Sequence, residues 1–415
     1  MKAKSARSKA ARSHQPQELT LKKSSLFVAI ASLLGSHAAT AGPEGGQIVT
    51  GTGSIDQTVP ASTVITQTSD RLGIDWQSFN VGQQESVRFD QPGSSSIALN
   101  RIFDQNPSLI LGALDANGHV FLINPNGMVF GEGAQINVAG LVASSLDLSQ
   151  ADFAAGKFNF AGNSSGLIVN RGLIKAATGG SVTLLGGSVA NEGLIVADLG
   201  RVNLGAGTRA SLDFDGDGLL FFEVDGALLT NNTGGDSAVS NSGTIQANGG
   251  SVLLTAAAAR GVFSNVVNNT GLVSATRIEN NGGVIRLVGD GGDVLTSGTL
   301  DASGQGGAGG TVQVLGDRVG LTGSAVVDVS GDTGGGSAQI GGGFQGSDPN
   351  VKNAEATFVG SGARIDASAG DIGDGGNVVV WADGITRFNG EIVARGGAGQ
   401  GDGGFVEVSG KETVV

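Results

Sequence analysis

The sequence predicts an all-β chain, a right-handed parallel β-helix with an N-terminal capping section and extra-helical loops or hairpins. Three observations carry this. The segment Asn170-Arg171-Gly172-Leu173-Ile174-Lys175-Ala176 recurs from Asn191, Asn241 and Asn269, each time with Gly two residues on (Gly193, Gly243, Gly271) and Ala six residues on (Ala197, Ala247, Ala275). Gly-Gly pairs followed by alternating strands recur at Gly179-Gly180, Gly249-Gly250, Gly282-Gly283, Gly309-Gly310, Gly375-Gly376 and Gly403-Gly404. The 74 Gly come with many Val, Leu and Ile and only 7 Pro, a mixture that suits stacked strands and neither a collagen nor a flexible linker. A single such unit cannot bury its apolar face or pair its backbone edges; stacked in parallel, successive units do both. Glycine at the corners is expected to supply positive φ and to let backbones approach closely, and Asn at equivalent places to form a stacked amide ladder.

Residues 1–41 differ from everything after them. They hold seven Lys or Arg and one acid, which leaves 17 bases against 36 acids in the remainder, a net of −19 where the whole chain has −13. Residues 24–41 carry no formal charge, and the apolar run 26–34 follows Lys22 and Lys23. Ala39-Thr40-Ala41 offers small residues ahead of Gly42, so 1–41 reads as a signal peptide cleaved after Ala41. The run is about half the roughly 20 residues that a membrane span requires.

Residues 42–165 show no repeat and are read as an N-terminal cap with the informative motifs. Residues 166–290 hold the rungs marked by the Asn-x-Gly repeats. Residues 291–415 form a Gly-rich repeat stalk, in which the partner strand becomes Asp301-Ala302-Ser303, Asp328-Val329-Ser330 and Asp366-Ala367-Ser368. No polar cap follows the strand at 403–408, so the stalk is expected to continue past Val415. Asp213-Phe214-Asp215-Gly216-Asp217-Gly218 starts like a calcium loop, but its twelfth position is Val224 and Glu223 falls one place early. A solvated turn is the expectation there, with calcium at Asp213, Asp215 and Asp217 as the alternative.

The stretch that identifies a family lies within 100–131: Asn100-Arg101-Ile102-Phe103, then Asn106-Pro107-Ser108, then Asn124-Pro125-Asn126-Gly127, followed by Val138-Ala139-Gly140-Leu141-Val142-Ala143. In this order and spacing they resemble the secretion domain of filamentous haemagglutinin-type proteins, the exported partners of two-partner secretion systems. The resemblance covers residues 42 to about 290. It implies export from a Gram-negative bacterium through the periplasm to the cell surface or medium, recognition by an outer-membrane β-barrel transporter with periplasmic binding domains, and folding into a β-helix on emergence. It also implies an adhesin that engages host-cell or bacterial surface receptors. Read from the residues alone, 124–127 is a tight turn whose Pro presets φ and whose Asn-Gly tolerates the left-handed region. Its Asn side chains then either buttress the turn or are read by the transporter in the unfolded chain.

Composition narrows the function classes. The acidic body repels phosphate backbones, so no nucleic acid is expected. With no Cys, no Tyr and His119 the single His after residue 41, nucleophilic dyads and His-rich metal sites lack their parts, and neither enzyme activity nor a cofactor is expected. The absence of Cys suits a chain that crosses an outer membrane unfolded, or is plain drift. The rival readings are a carbohydrate-active β-helix using the recurring Asp301, Asp328 and Asp366, and a passive stalk of a cytolysin or haem-acquisition exoprotein. The chain is expected to be a monomer.

Overall fold

Short alternating strands separated by Gly-rich corners stack in this chain into three parallel ladders. The computed structural model describes residues 42–163, 166–214 and 220–415. Ladder 1 runs from Ser62–Gln67 to Glu391–Val393, ladder 2 from Arg71–Trp76 to Phe405–Val408, and ladder 3 from Ser108–Ile110 to Thr413–Val414. From the turn of Ser86–Asp90 onward each turn contributes one strand to each ladder, the topology of a parallel β-helix. Ladders 1 and 2 merge into a single 24-stranded sheet because Gln135–Ser144 and Leu173–Gly186 bend round the corner without a break. Ladder 3 is an 11-stranded sheet.

The core is a set of register columns. Ile136, Ile174, Ile195, Ile245, Val273, Leu300, Val327 and Ile365 lie one above another in ladder 1, and every one is fully buried. Each contributes roughly 1.5–3 kcal/mol from burial. One column in ladder 3 is polar. Asn170 pairs with Asn191, then Asn241, Asn269 and Thr296, all at or below 1% exposure. Each amide Nδ2 donates to the next Oδ1, at 2.9, 2.7 and 2.8 Å, and Asn269 donates to Thr296 Oγ1 at 3.1 Å. This is the expected amide ladder. Phe130 stands before it, and Leu321, Val359 and Phe388 continue the column as apolar residues.

The glycines divide between the two expected roles. Of the Gly-Gly pairs, only Gly179 and Gly249 have positive φ, 78° and 67°. Most other repeat glycines are needed because the turns touch through them, whereas a Cβ on Gly282 or Gly403 would meet nothing closer than 3.8 Å. A Cβ on Gly193, Gly243, Gly271 or Gly298 would fall 2.1–2.4 Å from the carbonyl oxygen of the equivalent glycine one turn earlier. The second glycine of a pair behaves likewise: a Cβ on Gly250 would lie 2.0 Å from the Gly200 oxygen.

Parallel stacking begins before the sequence repeats do. Ser62–Gln67 already pairs in parallel with Ser86–Asp90, and Arg71–Trp76 with Ile97–Ile102. The first turn is closed by antiparallel pairing, Gln47–Thr50 on Arg71–Trp76 and Gly53–Asp56 on Ser62–Gln67. A separate four-stranded antiparallel sheet of Asp147–Leu148, Phe158–Ala161, Arg209–Phe214 and Leu220–Gly226 lies outside the helix. Its inner face and the helix Gln150–Ala154, whose N-cap Ser149 accepts from Asp152 N, cover the outer face of ladder 2. The run His119–Ile123 is therefore apolar without alternation: Val120 and Leu122 point into the β-helix, while Phe121 and Ile123 join a second core with Leu99, Val142, Phe158, Phe160 and Leu212. Gly205 leaves room for Phe222 above it, since a Cβ there would lie 2.3 Å from the ring. No helix among the described residues is long and apolar enough to cross a membrane.

Candidate functional site

The motif residues of 100–127 come from two successive turns, and hydrogen bonds join those of 106–108 to those of 124–127. Asn100, in Ile97–Ile102, is wholly buried. Its Oδ1 accepts from Trp76 Nε1 at 2.9 Å, and its Nδ2 donates to the carbonyls of Ala98 and Phe121 at 3.3 and 3.2 Å. It therefore ties one turn to the turn before and the turn after. Asn124, also wholly buried, ends the ladder 2 strand His119–Ile123 and donates Nδ2 to Asn106 O and Ser108 Oγ at 3.1 and 3.0 Å. Its Oδ1 accepts from Asn126 N at 2.9 Å, and its carbonyl accepts from Gly127 N at 2.9 Å, which closes the turn. Gly127 has φ 97°, as the turn reading expects. Ser108 N donates to Gly127 O at 3.0 Å, so Asn106-Pro107-Ser108 and Asn124-Pro125-Asn126-Gly127 form one unit.

The remaining motif residues make a rim. Asn126 and Pro125 are exposed, with Asn126 Nδ2 donating to Asp104 O at 2.7 Å. Asn106 is exposed, and both its N and its Nδ2 donate to Asp104 Oδ1, at 3.0 and 3.1 Å, while Pro107 is half-buried. Arg101 lies 5.2 Å over the ring of exposed Phe103, and its Nε lies 3.7 Å from Asp147 Oδ1. The motif thus splits into two buried amides and an exposed rim, a division that sequence spacing does not show.

The other sequence candidates separate. Ala39 and Ala41 lie outside the described residues; Gly42 is the first residue within them. Asp215 and Asp217 also lie outside, while the Asp213 backbone belongs to the strand Arg209–Phe214. Among the described residues, no group of three or more His, Cys, Asp or Glu is placed to hold a metal ion. Asp301, Asp328 and Asp366 do align in register. Each Oδ1 accepts the backbone N–H two residues on, from Ser303, Ser330 and Ser368, at 3.0, 2.9 and 3.0 Å, and so caps its own corner.

His119 packs face to face with Gly140 of the next turn, where a Cβ would fall 2.2 Å from its Nδ1. Burial holds its imidazole below the usual pKa, because desolvation disfavours the charged ring. The unfolded chain therefore takes up a proton first as pH falls below about 6.5, and this part of the stability, complete above that pH, is lost as pH falls towards the folded value. Urea midpoints at pH 7.5 and 5.5 are expected to fall for the native chain, by at most about 1.4 kcal/mol per pH unit from this group, and to fall less for His119→Gln. An equal fall in the variant would show that another group carries the slope.

The family model that matches this sequence is described as "TPS secretion domain" and covers residues 39–314. The chain belongs to the TPS secretion domain family. The solved HMW1 secretion domain from Haemophilus influenzae superposes with a TM-score of 0.80 at 33% identity, over 90% of this chain and 96% of that one. The heme/hemopexin-binding protein of Haemophilus influenzae (strain ATCC 51907 / DSM 11121 / KW20 / Rd) is 32% identical over 276 residues, 63% of this chain and 29% of that protein. A second Haemophilus influenzae heme/hemopexin-binding protein is 42% identical over 118 residues, 28% of this chain and 13% of its own length. The TPS secretion domain here thus spans less than a third of those curated relatives. It is a two-partner secretion domain, as the motifs imply, and the match extends past residue 290 into the Gly-rich section.

Proposed function

We propose that this chain is the N-terminal part of an exoprotein delivered to the cell surface or medium by an outer-membrane β-barrel transporter with periplasmic binding domains, and that it serves attachment to host or bacterial surfaces. The observation that carries the export half is the family match over residues 39–314, which includes the buried amide of Asn100 and the hydrogen-bonded unit of Asn106 and Asn124. The amides of Asn100 and Asn124 are fully buried in the folded chain, so a transporter can read them only before folding. Folding on the far side then withdraws them and opposes return. Exposed Asn106, Pro125 and Asn126 are readable in either state. The chain acts by binding, with no catalysis and no cofactor of its own.

Co-expression with the cognate transporter in a Gram-negative host tests this. Asn124→Ala/Asn126→Ala is expected to lose most of its secreted fraction while still refolding in vitro to the same circular dichroism. Normal export of that variant, or equal export without the transporter, would sink the recognition role.

A second reading, haem acquisition, is favoured by the two heme/hemopexin-binding relatives. It would place the ligand mainly outside the stretch described here, since His119 is the one His after residue 41. Haem titration of the purified chain separates the two: a saturable Soret shift supports acquisition, and its absence leaves attachment to be tested on cells.

A further inference from the structure

In most turns the corner between ladders 2 and 3 is short: Gly291 and Gly292 in one turn, Gly316 and Asp317 in the next, and residues 381–384 in a later one. Between Ser337–Ile340 and Ala356–Val359 it instead runs over residues 341–355. This excursion is closed at its base, where Ala354 N donates to Gly341 O at 2.6 Å and Glu355 N to Asp317 O at 2.7 Å. Its two arms reach in opposite directions along the helix. Towards earlier turns, Lys352 Nζ donates to Gly289 O at 3.1 Å, Asp290 Oδ1 at 2.8 Å and Asp317 Oδ1 at 2.6 Å. Burial pulls against the Lys352 ammonium, but the bonds to both carboxylates outweigh it and hold the group charged above the usual lysine range. Arg260, from a corner one turn earlier still, pairs with Asp317 and Glu355. Towards later turns, the Phe344 ring meets Phe405 edge-on at 5.5 Å, and Gln345 N donates to Glu407 Oε2 at 3.1 Å. Between the arms the backbone lies against the indole of Trp381, so close at Gly346 that a Cβ would fall 2.7 Å from Nε1. Asn353 Nδ2 closes it by donating to Gly346 O at 2.9 Å.

We propose that residues 341–355 are a strap that makes five consecutive turns of the β-helix open as one unit. Those turns carry the ladder 2 strands Val284–Asp290, Thr311–Leu315, Ser337–Ile340, Asn377–Val380 and Phe405–Val408, each paired with the next. In a plain solenoid a turn contacts only its neighbours, so opening travels turn by turn. The strap adds contacts that reach two turns away in each direction, past one intervening turn. Loss of the turn of Phe405–Val408 then also breaks contacts made by the turn of Ser337–Ile340. In a chain that folds in order of emergence, the Lys352 arm closes on turns already formed, and the Phe344 arm closes only after two further turns have stacked.

Hydrogen exchange read by mass spectrometry tests the strap on the whole chain. In the native protein, amides of Val284–Asp290, Asn377–Val380 and Phe405–Val408 are expected to share one opening rate. In Phe344→Ala/Lys352→Met, whose changes fall on partly exposed side chains, exchange in Asn377–Val380 and Phe405–Val408 is expected to quicken on the order of tenfold while Val284–Asp290 changes little. Lys352→Arg, which keeps the charge, is expected to retain most of the protection that Lys352→Met loses. Faster exchange confined to residues 341–355, an equal rise across the whole chain, or no change would each overturn the proposal.

Discussion

Asn241→Ala is expected to destabilise the turns around it by about 2–4 kcal/mol, a large effect for one short polar side chain. In the native column, Asn241 accepts from Asn191 and donates to Asn269 in an interior with no access to water. Removing it leaves Asn269 Oδ1 without its donor and leaves Asn191 Nδ2 only the longer contacts to Gly193 O and Thr244 O, at 3.4 and 3.3 Å. A stranded buried polar group costs roughly 1–3 kcal/mol, and the missing volume adds to it. The column itself supplies the control, because at Leu321 and Val359 the same position is apolar and well packed. The polar ladder is thus a device for register more than for net stability: a two-residue slip, which keeps the inward face, would put Asn191 against Val239 and Asn241 against Val267. Asn241→Ala/Asn269→Ala should cost less than the sum of its single variants, by on the order of 1 kcal/mol, since the second change removes a group that the first has stranded. Urea unfolding, with hydrogen exchange over Ser237–Asn241 and Asn265–Asn269, measures both effects. Strict additivity would sink the ladder interpretation.

That column was legible in the sequence because its constraint is strict. Only Asn fits both bonds, so Asn170, Asn191, Asn241 and Asn269 recur and give the register residue by residue. The turns before Asn170 obey the same geometry with different residues. Trp76, Phe89 and Phe130 fill their interior, and any large apolar side chain satisfies that need, so no repeat shows. The glycines were half legible: the sequence marks where they stand, but whether φ or the neighbouring carbonyl demands them depends on contacts from a distant turn. The turn at 124–127 was readable from Pro125, Asn126 and Gly127. The burial of Asn100 and Asn124 was not, because Trp76, Ser108 and Phe121 that complete their bonds arrive from other turns. A signal for the second core did exist, in the unbroken apolar run His119–Ile123 and the later Phe158-Asn159-Phe160, whose alternation matches the inward face of an added strand.

Phe121→Ala tests that second core and is expected to cost about 3–5 kcal/mol. The ring is fully buried between ladder 2 and the antiparallel sheet. It meets Phe158 edge-on at 5.5 Å and Phe160 at 6.5 Å, and Phe153 of the short helix closes on Phe158 at 6.5 Å. These aromatic side chains, with Leu99, Val142, Leu185 and Leu212 around them, fasten the sheet to the helix, since its strands share no backbone ladder with ladder 2. The loss should therefore be local. Inward Val120 and Leu122 still pack in the main core, and parallel pairing of Ile97–Ile102 with His119–Ile123 does not depend on the outer ring. Limited proteolysis of Phe121→Ala is expected to cut within residues 147–163 well before the β-helix is attacked, while exchange protection of Ile97–Ile102 persists. Cleavage at the native rate, or simultaneous loss of protection in the ladder, would mean that sheet and helix form one cooperative body instead of a helix carrying a fastened accessory.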